Sequence, residues 1–500
     1  MNTDPRWTSP ASESTPSIQR SVLFSVAERY SSSVIGFGAS MVIARLLSPA
    51  EVGVFTVAAA VLAIVQSFRD LGATQYIIQE RDLTRRRYAA AVAFTAIAST
   101  VLAASLVIGA RPVATFYGHA GIAPLLYLLA LGLLLTPLIA PASGLIQRSM
   151  DFPFLCWIGI AGAMASATVS VGLAWLGFSF LSLAWGSLAA GLASLGVLLA
   201  VRRRDFWTSP DLKEWRRILP FGTHLTAASL VITLGMQAAH LIIPRFLDFT
   251  AVGLYGRAQG LVALLSRDVG ASVYRVLVPA FAHAHRNSED VRRLYLKSVT
   301  YMTGVAWPLY GFIGIAAHLI IETLFGSAWI GAAPVAQVLC IAGGISATWF
   351  TSTQVILALG QVDRILTVEV VVQPTRILMT LIAAPHGLLA VAAAQIATMM
   401  MVGVLFLTQL RALFDLRVGD MINATRSSAA LALFACLPTF LMQRLTSDLT
   451  PHVSAPLLAV LLTFGASSVA GLWITKHPLG VDLMRGMRKL LTLSRRVSSR

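Results

Sequence analysis

Apolar stretches of about 20 residues recur from one end of this chain to the other, and that length is what an α-helix needs to cross a bilayer. Fourteen can be counted in the 500 residues. The first six are 22–46, 52–78, 89–109, 122–146, 154–175 and 180–201; the next six are 218–244, 252–278, 296–321, 335–359, 365–383 and 388–410; the last two are 427–443 and 457–474. Only 12% of the residues are charged, against about 25% in an ordinary soluble domain. A spanning segment must satisfy its own backbone, which leaves helices or a closed barrel. The short alternating strands of a barrel are absent. The sequence therefore predicts an all-α polytopic membrane protein with about fourteen transmembrane helices.

The net charge of +16 would suggest nucleic acid in a soluble chain, but its distribution argues otherwise. With the N-terminus cytoplasmic and the spans alternating, 28 of the 38 Lys and Arg residues fall on the cytoplasmic side and only Arg111, Arg245 and Arg444 on the other. Such an imbalance orients helices during insertion and binds anionic headgroups. Both termini are predicted cytoplasmic, with membrane lipids as partners and no nucleic acid. The three cysteines, Cys156, Cys340 and Cys436, lie in apolar runs without metal or redox spacing, and read as small buried hydrophobes.

An internal repeat organises the chain. ARLLSPAEVGVF, followed by SFRDLGA, reappears as PRFLDFTAVGLY followed by SRDVGA. Arg45 pairs with Arg245, Val52-Gly53 with Val252-Gly253, Phe55 with Tyr255, and Arg69-Asp70 with Arg267-Asp268. The copies lie six spans apart, so they share an orientation, which predicts two six-helix bundles related by an axis along the membrane normal. The domains expected are a disordered cytoplasmic tail (1–21), an N-terminal bundle (22–201), an interfacial linker (202–217), a C-terminal bundle (218–410), a helical pair (427–474) outside the repeat, and a basic cytoplasmic tail (475–500).

The stretches ARLLSPAEVGVF, FRDLGATQYIIQERDLT and QRSMDF, within residues 20–155, resemble the polysaccharide and oligosaccharide flippases of the multidrug/oligosaccharidyl-lipid/polysaccharide (MOP) exporter superfamily, in particular bacterial exopolysaccharide and O-antigen translocases of the Wzx-like kind. The resemblance implies two lobes around a central cavity, and a glycan carried on polyprenyl pyrophosphate as substrate.

Charges inside the spans mark candidate functional residues, because each costs about 2.5–3.5 kcal/mol on insertion scales and so faces a partner or water. Seven arginines remain there (Arg29, Arg45, Arg69, Arg257, Arg267, Arg275, Arg376) against four acids, Glu28, Asp70, Asp268 and Glu369. The positive excess suits an anionic ligand, and the guanidinium fork suits phosphate oxygens. Arg29, Arg257 and Arg376 are the candidate substrate-binding residues. For Arg376 a second reading stands, a buried pair with Glu369 seven residues earlier on the same face. Glu28, Arg69, Asp70, Arg267, Asp268, Glu369, His224 and Gln237 are candidates for the cavity or its gates. For the two Arg-Asp doublets, locking helix ends to loops or headgroups is the alternative. Arg45 and Arg275 read as interfacial.

Together these features predict a flippase that carries a polyprenyl-pyrophosphate-linked oligosaccharide across the bacterial inner membrane by alternating access. It would serve exopolysaccharide, capsule or lipopolysaccharide O-antigen synthesis, with polysaccharide polymerase machinery as a further partner. A cation-coupled multidrug exporter of the same superfamily would need acids to hold cationic drugs, whereas arginines dominate here. A flippase for a lipid-linked peptidoglycan precursor is the nearer alternative. An enzyme is not expected: the chain has no phosphate-binding GxxxxGK[ST], no zinc motif and no nucleophile–base arrangement, and no catalytic residue, cofactor or metal is assigned.

Overall fold

The computed structural model describes residues 18–68, 73–80, 82–206, 215–447 and 454–482. Of these, 18–22, 73, 202–206, 215–228, 265–275, 447 and 454 are described in the backbone alone. The expected tails, the middle of the 202–217 linker and the Arg69-Asp70 doublet lie outside the described residues. So do the side chains of Arg267, Asp268, Arg275 and His224.

Helices run the length of the described chain. They are α1 (Ile18–Leu46), α2 (Pro49–Ser67), α3 (Ala73–Gln79), α4 (Arg85–Tyr117), α5 (Ile122–Arg148), α6 (Phe152–Trp175), α7 (Leu181–Phe206), α8 (Trp215–Phe246), α9 (Phe249–Arg286), α10 (Val291–Phe325), α11 (Ala332–Ala358), α12 (Val362–Ala383), α13 (Leu388–Phe414), α14 (Val418–Ser447) and α15 (Ser454–Ile474). Apart from the seven-residue α3, these are the fourteen long helices that hydropathy marks out. Twelve of them are long and apolar enough to cross a membrane among the described residues; α1 and α9, of comparable length, are not among the twelve. Most helices overrun their apolar windows, so Arg111 belongs to α4 rather than to a loop. The second expected span, 52–78, is not one helix: α2 ends at Ser67 with Phe68 as its C-cap, and α3 is separate.

The chain divides into two compact units, Met1–Gly253 and Leu254–Arg500. In the first, α6 packs on α1 and α7, α5 on α4 and α7, and α2 on α8. Thus α8 packs with the helices that precede it, and the division falls just inside α9. In the second unit α10 is the hub, packed on α11 and α14, with α13 joining α11 to α12. Half of the apolar window of α10 is buried, against 17% of that of α14, so α10 is an interior helix and α14 a peripheral one. Large apolar side chains such as Ile108 and Trp175 are more than three-quarters exposed, a liability in water that hydrocarbon removes.

The repeat has a local structural meaning. Ser48 caps α2 in a capping box: its hydroxyl accepts from the Glu51 N–H at 3.4 Å, and the Glu51 carboxylate accepts from the Ser48 N–H at 2.7 Å. At the equivalent position Asp248 accepts from the Ala251 N–H at 2.6 Å and caps α9. The matched glycines then meet reciprocally. A Cβ on Gly53 would lie 1.8 Å from the Phe249 carbonyl oxygen, and one on Gly253 would lie 2.0 Å from that of Pro49. The first turns of α2 and α9 therefore touch backbone to backbone, which only glycine allows at both positions.

Candidate functional site

The motif residues of QRSMDF and IIQERDLT meet in the first unit. Arg148, in the last turn of α5, donates to the carbonyl oxygens of Ile77 at 3.1 Å and of Glu80. These belong to the C-terminal end of α3 and its exit, where carbonyls lack intrahelical donors. Glu80 in turn pairs with Arg87 at 3.1 Å, and Asp151 caps α6 by accepting from the Phe154 N–H at 3.2 Å. Arg148, Glu80 and Asp151 thus tie helix ends together.

Among the candidates in this unit, Glu28 lies along α6: a Cβ on Gly159 would come within 2.4 Å of its Oε1. The acid is accommodated because position 159 has no side chain. Arg29, its neighbour on α1, is half-buried. On α8, Gln237 and His240 are joined, with Oε1 to Nδ1 at 3.0 Å, one helical turn apart.

In the second unit a polar ladder runs along α12. Arg376 on α12 donates to the Gln373 Oε1 at 3.1 Å, and Gln373 donates to the Glu369 Oε2 at 2.5 Å. The acid and the arginine are therefore linked, but through an amide rather than as the direct pair weighed from their spacing. The Arg376 Nε is buried and has no hydrogen-bond partner among the described residues. Tyr255 on α9 is wholly buried, with Gln395 of α13 and the charge of Arg376 beside its hydroxyl. Two residues on, the Arg257 guanidinium carbon lies 4.4 Å from the ring centres of both Phe325 and Trp329. Both rings are almost fully buried. Such cation–π contacts hold a guanidinium in place while leaving its N–H edge to hydrogen-bond in plane.

Sequence reasoning found Arg257, Arg376 and Glu369 but not the groups that hold them. Gln373 had a signal, since 369, 373 and 376 follow the i, i+4, i+7 spacing of one helix face. Phe325 and Trp329 had none: they lie some seventy positions from Arg257 in ordinary apolar company. Among the described residues, no group of three His, Cys, Asp or Glu could hold a metal ion.

Long apolar helices in both units, with arginines set among buried polar and aromatic groups, define a multi-pass membrane protein. Its fold matches that of the lipid II flippase MurJ in an inward closed conformation, with a TM-score of 0.72 over 90% of this chain and 99% of that one at 12% identity. Residues 42–334 match the polysaccharide biosynthesis protein family, more than half of the chain, and the chain belongs to that family. It is 25% identical over 307 residues to the teichuronic acid biosynthesis protein TuaB of Bacillus subtilis (59% of this chain, 61% of TuaB). It is 27% identical over 349 residues to the succinoglycan biosynthesis transport protein ExoT of Rhizobium meliloti (69% of this chain, 70% of ExoT). The alignments thus span about three-fifths to seven-tenths of these relatives.

Proposed function

We propose that this protein is a flippase that moves a polyprenyl-pyrophosphate-linked oligosaccharide across the bacterial inner membrane by alternating access, supplying exopolysaccharide, capsule or O-antigen synthesis. The observation that carries this reading is the Glu369–Gln373–Arg376 ladder. Its acid is held one amide away from the arginine, so an incoming phosphate oxygen meets a guanidinium that is not consumed by a direct ion pair. Family membership and the names of TuaB and ExoT supply the polysaccharide context. Arg29 and Arg257 complete the proposed anion-binding set. Glu28, Glu369, Gln237, His224 and the doublets Arg69-Asp70 and Arg267-Asp268 are proposed to line or gate the path. The polyprenyl tail stays in lipid while the glycan crosses.

Both termini are proposed to be cytoplasmic, the six-plus-six parallel repeat is retained as the organising symmetry, and polymerase machinery is the proposed downstream partner. No covalent step is required, so the protein is proposed to act without catalysis. The multidrug-exporter alternative fits poorly with seven intraspan arginines against four acids. A lipid-linked peptidoglycan precursor has the same pyrophosphate, and the MurJ-like fold suits it equally; identifying the glycan that accumulates on lipid in a deletion strain separates the two.

The test of the arginine assignment is export in strains carrying Arg29→Ala, Arg257→Ala or Arg376→Gln at normal protein levels. Each is expected to lower export and raise the lipid-linked intermediate. Arg257→Lys, which keeps charge and loses the planar fork, should give a partial defect. Undiminished export in both alanine variants would overturn arginine capture.

A further inference from the structure

A groove on the second unit has chemistry that transport of a glycan does not use. It lies between α10, α11 and α14 and encloses about 1030 Å³. Its deep end is bounded by Trp307, Thr348 and Ala429, and its mouth by Gln337, Gln443 and Arg444. Along α14, Ala429 and Arg444 are fifteen positions apart, which is about 22 Å of helix. That is about half of the roughly 40–45 Å that a bilayer spans with its headgroups. The groove therefore has the depth of one leaflet.

Its polarity changes along that depth. At the deep end the polar groups are already satisfied: the Trp307 indole N–H donates to the Gly344 carbonyl at 2.9 Å, and the Thr348 hydroxyl to the same oxygen at 3.3 Å. Nothing there asks for a hydrogen-bonding ligand, and such a surface suits hydrocarbon. At the mouth, the side-chain amides of Gln337 and Gln443 make no hydrogen bond among the described residues. The Arg444 guanidinium lies over the Phe440 ring at 5.3 Å, at the same end. The flanks are open to lipid, since Ile341 and Leu433 line the groove yet are more than half exposed.

We infer that this groove is a binding site for a membrane phospholipid, with one acyl chain lying along α10, α11 and α14 and the phosphate held at Arg444, Gln337 and Gln443. A guanidinium beside two side-chain amides suits a phosphate oxygen, to which Arg makes a charge-assisted bond. The one-leaflet length fits an acyl chain, whereas a long polyprenyl chain would overrun it. The bound lipid would fill the space between α11 and the peripheral α14, over the interior helix α10.

The test uses the full-length protein in vesicles of phosphatidylethanolamine and phosphatidylglycerol that contain phosphatidylglycerol with a photoreactive acyl chain. Cross-linked peptides are located by mass spectrometry. Adducts are expected on α11 and α14 within the groove, and unlabelled phosphatidylglycerol should displace them. Two substitutions fill the groove from different helices. At Gly314 an added Cβ would sit 3.6 Å from Cys340, ordinary contact distance, so Gly314→Leu enters the cavity without a backbone clash; Ala432→Phe does so from α14. Either should cut groove adducts about tenfold, as expected when about 1.4 kcal/mol or more of binding is lost. Arg444→Gln should reduce them less for a zwitterionic than for an anionic probe. Groove adducts that persist unchanged in whichever filled variants keep the wild-type melting temperature would overturn the inference. So would adducts displaced by a polyprenyl phosphate but not by phospholipid, or a wild-type protein with no groove adducts.

Discussion

Two buried side chains illustrate how single polar groups are tolerated in this molecule. Gln373 hydrogen-bonds to Arg376 and Glu369 at once. Removing it strands two charged groups in a membrane segment, and an unmet buried partner costs about 1–3 kcal/mol, more when charged. Gln373→Leu is therefore expected to lower the melting temperature in detergent more than Gln409→Leu, which removes only the acceptor of a hydrogen bond from Arg364 at 2.9 Å. Equal shifts would argue against a shared ladder. His477 lies beyond α15 and is wholly buried. Its Nδ1 accepts from the Leu479 N–H at 3.2 Å, so Nε2 carries the proton toward the Ser428 hydroxyl at 3.1 Å. Burial holds its pKa below the ordinary value of 6.5. The unfolded imidazole thus takes up a proton before the folded one does, and stability that is full above about pH 6.5 declines as the pH falls through that value. Melting temperatures between pH 7.5 and 5.5 should show this slope, and His477→Asn should flatten it.

At the scale of helices, the paired N-termini of α2 and α9 make the repeat visible as a contact. The chemical change from glycine to alanine should have opposite signs at two places. At Gly53 the new Cβ would meet the backbone oxygen of Phe249 at 1.8 Å, forcing the helices apart at a cost of about 1–3 kcal/mol. At Gly36 in α1 nothing lies within 4 Å of an added Cβ, and Ala should gain up to about 1 kcal/mol of helix propensity. Thermal unfolding of Gly53→Ala and Gly36→Ala against wild type measures both. Short α3 depends on Arg148 in a comparable way, for a seven-residue helix has little stability of its own. Arg148→Ala should speed amide hydrogen exchange across 73–80 while leaving α5 protected. Unchanged exchange would mean that packing alone holds α3.

For the whole molecule, the orientation prediction is the one on which the spans depend. In a variant with its three cysteines replaced, an impermeant thiol reagent applied from outside should label Leu176→Cys, in the turn after α6, and miss Ser209→Cys in the basic linker; the reverse would invert every helix. The number of long helices and the class of protein were legible in the sequence because hydrocarbon imposes a length and a polarity on each segment independently of its neighbours. The repeat was legible for a related reason, since equivalent helix starts need the same capping and small residues. Hydropathy could not place the end of α2 at Ser67, because the Phe68 that caps it is as apolar as the helix it closes. Nor could it assign α8 to the first compact unit, which depends on packing against α2. The candidate arginines were visible as charges where charge is costly. Their surroundings, Gln373 beside Arg376 and the rings of Phe325 and Trp329 around Arg257, were decided by tertiary structure, because which apolar residue meets which charge depends on how the helices pack.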